Sequence, residues 1–210
     1  MDVRRLLAMP LACSAVLITT SCGTANPGSP TAPENPATSR SGAAPTSRLA
    51  PPLSQPELDT APFEKDPCTL LRPEQVAQFG EHKPPESEEA LTGPSCRWAP
   101  ESSLKTGTPG IRLTVTINTK SGGLEGIYQR RDKFGHFQET VIARYPGVHA
   151  LDWREAPANG DCDTLLGVGE GRLVDVSVSV RDKNHPDYAT ACKVSDRAAG
   201  MVIENLKGAK

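Results

Sequence analysis

The sequence predicts an α+β domain in which helices pack on the face of an antiparallel β-sheet and two disulfides stabilise the fold. Two runs favour the sheet, because apolar and polar residues alternate from Ile111 to Asn118 and again from Val174 to Val180. Alternation with a period of two is typical of strands with one buried face. A third run favours the covering helix, since apolar and small residues between Pro186 and Leu206 recur every three or four positions. A sheet with separate helices belongs to the layered α+β class.

The chain begins with a stretch that is typical of an export signal. Arg4 and Arg5 precede an apolar run from Leu6 to Ile18, and small residues then lead to Cys22. This combination marks secretory signals, and the run is shorter than the roughly 20 residues that span a bilayer. Cys22 resembles the cysteine of a bacterial lipobox, whose sulfur carries a diacylglycerol. We therefore predict a signal peptide over residues 1–22 with Cys22 as the lipid anchor; a plain secretory signal is the alternative.

Residues 23–62 have the composition of a disordered tether. Nine of the twenty prolines lie here, together with many Ser, Thr and Ala residues and no aromatic residue. Such a segment buries too little apolar surface to offset the entropy of ordering it. A flexible coil of this length reaches roughly 35 Å. The segment is therefore predicted to hold a domain away from the membrane.

The globular domain is predicted to span residues 63–210 and to open with a short helix. Pro73 suits the first helical position, where its missing N–H has no intrahelical partner, and Gly80 is a typical stop. The polar, proline-bearing stretch 82–93 predicts a loop. Ser95 to Trp98 then predicts a short strand.

Three further elements follow from local patterns in the second half of the domain. Cys162 to Val168 predicts a strand that reaches the valine-rich run through a glycine-rich hairpin turn at 167–171. Residues 137–143 predict a weaker strand. Helical spacing of apolar residues predicts an amphipathic helix from Gly123 to Phe134. Tyr145 belongs to a segment with Pro and Gly that is predicted as a rim loop.

Four cysteines remain after the signal and the anchor, namely Cys68, Cys96, Cys162 and Cys192. An even number in an exported chain favours two disulfides, although three pairings can be drawn. We favour Cys68 with Cys96 and Cys162 with Cys192, because the second bridge would pin the terminal helix to the strand that it covers. The cysteine and histidine spacing matches no metal motif, and no cofactor is predicted.

Several short motifs occur in a characteristic order along the chain. They are the lipobox-like Cys22, the Pro/Ser/Thr tail, Asp66-Pro67-Cys68 before Leu70-Leu71-x-Pro73-Glu74, Cys96-Arg97-Trp98, Tyr145-Pro146-Gly147-Val148, and the late pair Cys162 and Cys192. This order resembles the actinobacterial lipoprotein family catalogued as domain of unknown function 3558. The resemblance covers Asp66 to Leu206. It implies an exported, membrane-tethered domain. It points to no particular activity, because the family has none assigned.

Composition and scattered side chains limit the functions to be considered. A net charge of −2 and a pI near 6.1 give no electrostatic basis for binding nucleic acid. Trp153 and Tyr145 are candidate contact residues, because aromatic side chains on loops often mark binding surfaces. Asp161 and Asp163 share one face of a predicted strand and could seed acid–base chemistry. The four histidines are scattered and are predicted to lie at the surface.

The predicted function is that of a binding or protein-interaction domain on the outer face of the cell membrane. The lipid on Cys22 would hold it there, and its partner is an unknown protein or small molecule. A cell-wall-directed hydrolase or transferase, built on Asp161 and Asp163, is the alternative from the enzyme class. A structural accessory subunit of a membrane complex is the third.

Overall fold

The computed structural model describes residues 48–101, 110–152 and 159–209. The predictions for the export signal, Cys22 and Trp153 lie outside the described residues, as does most of the tether. Among these described residues, every helix is too short or too polar to span a bilayer.

The described residues form one sheet of seven antiparallel strands. In chain order the strands are β1 Glu86–Ala90, β2 Gly93–Trp98, β3 Ile111–Asn118, β4 His136–Ile142, β5 Tyr145–Leu151, β6 Asp161–Gly169 and β7 Arg172–Val180. Their spatial order is β1-β2-β3-β7-β6-β5-β4. The two alternating runs, β3 and β7, pair along their whole length at the centre, with Ile111 opposite Val180 and Asn118 opposite Leu173. The predicted α+β fold with an antiparallel sheet is confirmed.

The longest helix covers one face of this sheet. The helices are α1 Ala61–Glu64, α2 Pro73–Val76, α3 Gly123–Tyr128 and α4 Ala191–Gly208. Small buried residues of α4, including Ser195, Ala198 and Ala199, allow the helix to lie close to the strands. The terminal helix is confirmed, but it begins at Ala191, after a 3₁₀ turn at Tyr188–Thr190.

The shorter helix α3 packs on the opposite face. Leu124 and Ile127 of α3 join a second apolar cluster with Leu165 of β6 and Leu173 of β7. Each of these strand residues alternates with a neighbour whose side chain lies in the main core, so the two clusters occupy opposite faces. The helix ends at Tyr128, six residues before the predicted end, and a separate 3₁₀ turn follows.

Two of the strands were not predicted. β1 lies in the stretch predicted as a loop and is almost fully exposed, so its strand form depends on pairing with β2. β5 lies in the segment predicted as a rim loop, where Pro146 and Gly147 disfavour a strand by propensity. Close packing requires Gly147, because a Cβ atom there would lie 2.6 Å from the backbone oxygen of Leu165.

The chain already packs against the domain before the predicted boundary at Phe63. The N–H of Ala50 donates to the Glu125 carboxylate at 2.9 Å, and the N–H of Leu58 donates to the backbone oxygen of Val168 at 2.8 Å. Residues 48–62, which the composition predicts as part of the tether, therefore lie along the domain. Composition alone misplaces this boundary because the segment packs on a surface that other elements build.

Both favoured disulfides are present. Cys68, in a 3₁₀ turn before α2, is bonded to Cys96 of β2. Cys162 of β6 is bonded to Cys192, the second residue of α4. The second bridge joins the terminal helix to the sheet beneath it, as expected.

Candidate binding groove

A groove of about 960 Å³ runs beside α2. One part of its lining comes from the Cys68–Ala77 segment, another from the Gly80–Pro85 segment, and Trp98 of β2 contributes as well. Small-molecule sites commonly have volumes of roughly 300–1,000 Å³ and mostly apolar walls. The groove has the size and the lining of such a site.

Local sequence signals build the α2 side of the groove. Pro73 starts the helix, and a 3₁₀ turn carries the chain to Gly80, whose φ of +111° ends the segment. Leu71 and Val76 are buried and place their side chains in the groove lining. The Cys68–Cys96 disulfide ties this segment to β2, so the floor is attached to the sheet.

His82 holds the opposite side of the groove in place. Its Nδ1 lies 2.9 Å from the backbone oxygen of Gly80, and its Nε2 lies 2.8 Å from the backbone oxygen of Ile111. A neutral imidazole can donate to only one of these carbonyls, whereas the protonated ring can donate to both. The side chain thus links the end of the α2 segment to the start of β3.

Charged groups of both signs surround the apolar floor. The guanidinium of Arg72 contacts the carboxylate of Glu74 at 2.7 Å and also the side chain of Asn205. Lys83 and Glu101 line the groove without an ion pair among the residues that the structure describes. The arrangement suits a molecule with an apolar body and a polar end.

Asp161 and Asp163 lie on one face of β6, as predicted, and Asp163 approaches a third carboxyl group. Asp163 stands opposite Ser177 of β7, while Asp175 is two residues away on that strand. Burial raises the pKa of Asp163 to about 6, against the effect of a hydrogen bond with Ser177. Burial and then the charge of Asp163 raise the pKa of Asp175 to about 8. Burial thus disfavours ionisation of both carboxyl groups, and the charge of Asp163 disfavours ionisation of Asp175 further.

Tyr145, a predicted contact residue, is not available at the surface. It lies in β5, is 1% exposed, and donates its hydroxyl to the backbone oxygen of Pro56 at 2.8 Å. The prediction was wrong because the segment is a buried strand instead of a rim loop. Trp153 and Cys22 fall outside the described ranges, so their roles stay predictions.

The groove and one histidine were missed from the sequence. Groove residues come from separate stretches whose proximity depends on the Cys68–Cys96 bridge. His149 was predicted at the surface, but it is 6% exposed beneath α4, with Nε2 at 2.7 Å from Asp196. If Tyr145–Leu151 is recognised as a strand, its alternation places His149 on the same buried face as Tyr145 and Leu151.

These features define a disulfide-bonded α+β domain with an apolar groove beside its second helix. The chain belongs to the family described as protein of unknown function (DUF3558), whose family model matches residues 17–205. The family named from the motif order is thereby confirmed. No curated protein and no solved structure matches the chain.

Proposed function

We propose that the protein is a membrane-anchored extracytoplasmic binding domain that takes an amphipathic small molecule into the groove. The lipid on Cys22 holds the domain on the outer face of the cell membrane. The observation that supports binding is the groove of about 960 Å³, whose floor includes Leu71, Val76 and Trp98. A bound apolar body would cover this floor, while Lys83 and Glu101 would meet the polar end of the ligand.

Native mass spectrometry of the mature chain from residue 23, secreted through a cleavable signal, tests the groove. We expect extra mass that disappears on denaturation and identifies the ligand. Ala77→Trp places a large side chain at an exposed position in the groove lining and is expected to abolish the extra mass. Gln78→Trp adds the same side chain next to it, outside the lining, and should retain the extra mass. Equal adducts in both variants would place binding elsewhere.

The anchor is tested separately by cell fractionation. Cys22→Ala removes the sulfur that would carry the lipid. We expect the variant protein to leave the mature membrane-bound pool, either as an unprocessed precursor or in the medium. Processed protein that still partitions with the membrane would contradict the anchor without affecting the groove.

A wall-directed hydrolase or transferase is the second candidate, and one observation favours it. Asp163 and Asp175 lie near each other in the sheet and both have raised pKa values, and two carboxyl groups in different environments can divide the roles of acid and base. An Asp161→Asn, Asp163→Asn double variant that stays folded and loses turnover of wall polymer would support this candidate. A structural accessory subunit would instead show neither a ligand nor turnover and would copurify with a membrane complex.

A further inference from the structure

The Cys162–Cys192 disulfide lies within a group of side chains that suits thiol–disulfide exchange. A ring nitrogen of His149 and the two sulfur atoms all lie within 4.8 Å of one another. Cys162 is fully buried in β6, whereas Cys192 is partly exposed. Of the two bonded residues, Cys192 is therefore the one that is open to solvent.

The histidine is held in place by a carboxylate. Its Nε2 lies 2.7 Å from Oδ1 of Asp196, and Thr164 donates its hydroxyl to the same oxygen at 2.9 Å. Asp196 follows Cys192 by four residues, so both lie on one face of α4. His149 and Thr164 are cross-strand partners on β5 and β6. A histidine that is oriented by a carboxylate and lies next to a cysteine sulfur is the arrangement that activates a cysteine for reaction.

The position of Cys192 adds a second effect. It is the second residue of an 18-residue helix. The positive end of a helix dipole stabilises a thiolate at this position. Cys192 is thus the better leaving group once a mixed disulfide has formed on it.

The other disulfide also joins a buried cysteine, Cys96, to a partly exposed one, Cys68, but it differs in the remaining features. Cys68 lies in a four-residue 3₁₀ turn. Among the residues that the structure describes, the His149 group is the one cluster in which three side chains of this kind converge, and Cys68–Cys96 is not part of it. Cys68–Cys96 therefore serves as an internal control when the reduction of Cys162–Cys192 is measured.

We propose that Cys162–Cys192 is a redox-active disulfide that oxidises a dithiol substrate. The first substrate thiol gives its proton to neutral His149 and attacks Sγ of Cys192. The Cys162–Cys192 bond breaks, and the departing Cys162 thiolate takes the proton from His149. The second substrate thiol then attacks the substrate sulfur of the mixed disulfide and releases Cys192, which receives the second proton. The substrate loses two electrons and two protons, and the protein gains two thiols.

Native reduction with dithiothreitol, followed by alkylation and peptide mapping, tests the assignment on the oxidised full-length protein. We expect Cys162 and Cys192 to be alkylated at least about tenfold faster than Cys68 and Cys96, at a dithiothreitol concentration that leaves the circular dichroism unchanged. General acid–base catalysis typically contributes factors of about 10²–10⁴. His149→Gln should therefore slow reduction of this disulfide at least about tenfold and flatten its pH profile.

Matched variants separate catalysis from packing. His185→Gln changes a histidine outside both the His149 group and the groove lining and should leave the Cys162–Cys192 rate unchanged. Asp196→Asn weakens the contact that orients His149 while keeping the side-chain shape, and serves if His149→Gln fails to fold. Equal rates for the two disulfides would overturn the proposal. A folded His149→Gln protein, or in its place Asp196→Asn, with the wild-type rate and pH profile would overturn it too.

Discussion

The buried position of Asp175 disfavours the negatively charged form of its side chain. The residue lies on the central strand β7, and its Oδ1 atom is shielded from solvent without a hydrogen-bond partner among the described residues. Loss of hydration disfavours the ionised form, and the nearby charge of Asp163 disfavours it further. Both effects raise the pKa of Asp175 from its ordinary 3.8 to about 8.

This shift predicts how stability depends on pH. The folded chain keeps a proton on Asp175 that the unfolded chain releases above pH 4, so the free energy of unfolding falls as the pH rises from about 4 to about 8. Asp175→Asn removes the buried charge and should raise the unfolding free energy at pH 8 by about 1 kcal/mol or more, with little effect at pH 4. Urea denaturation at both pH values measures this. Asp66→Asn changes an exposed carboxylate and should have no comparable effect; a less stable Asp175→Asn protein at pH 8 would contradict the argument.

At the scale of elements, an amide pair joins α2 to α4. The Nδ2 atom of Asn205 donates to Oε1 of Gln75 at 2.7 Å and to the backbone oxygen of Leu70 at 2.8 Å. Gln75 donates back to Oδ1 of Asn205 at 3.3 Å. The C-terminal half of α4 is thereby fixed to the helix that forms one side of the groove.

Loss of this pair should destabilise the protein by leaving buried groups without partners. Asn205→Ala leaves the backbone oxygen of Leu70 and the Nε2 group of Gln75 without the partner that Asn205 provides, at a cost of about 1–3 kcal/mol. Chemical denaturation measures the loss. A double-mutant cycle with Gln75→Ala isolates the coupling between the two side chains. Additive effects of the two substitutions would show that the amide pair contributes nothing beyond its separate members.

The segment at 48–62 gives a second prediction at this scale. Its N-terminal end is held by the Glu125 carboxylate, which accepts from the N–H groups of Leu49 and Ala50 at 3.0 and 2.9 Å. Those hydrogen bonds, led by the one from Ala50, lower the pKa of Glu125. Glu125→Ala should speed amide hydrogen exchange at Leu49 and Ala50, with exchange at Leu58 less affected. Glu125→Gln keeps an acceptor oxygen and should give an intermediate rate; unchanged exchange in Glu125→Ala would show that the carboxylate does not hold the segment.

The elements also show which parts of the fold were predictable. β3 and β7 were found because strict alternation reflects their own burial, and α4 because its apolar stripe is continuous. β1 and β5 were missed because pairing with neighbouring strands, and close packing at Gly147, outweigh their local preferences. The groove and the His149 cluster were missed for a related reason. Their residues are distant in the chain, and only the disulfides and the sheet register bring them together.

At the scale of the whole molecule, the two disulfides tie different ends of the domain to the sheet. Cys68–Cys96 fastens the entering chain and the α2 segment to β2, and Cys162–Cys192 fastens α4 to β6. The bonded residues are 28 and 30 positions apart. Loops of such similar length constrain the unfolded chain to nearly the same degree. In the chain-entropy model, each bridge then stabilises the folded state by about 3.5 kcal/mol.

We therefore expect the two double Cys→Ser variants, one for each bridge, to lose about the same amount of stability. Removing either bridge should lower the melting temperature by about 10 °C, given roughly 2–4 °C per kcal/mol for a domain of this size. Each single-bridge protein should stay folded in circular dichroism, because α4 keeps its apolar contacts and α2 keeps Asn205. Calorimetry of the two variants measures the shifts. A larger loss for the Cys68→Ser, Cys96→Ser variant would show that this bridge also stabilises the folded state through the α2 segment beside the groove. An unchanged melting temperature in both variants would contradict the stabilising role of the bridges.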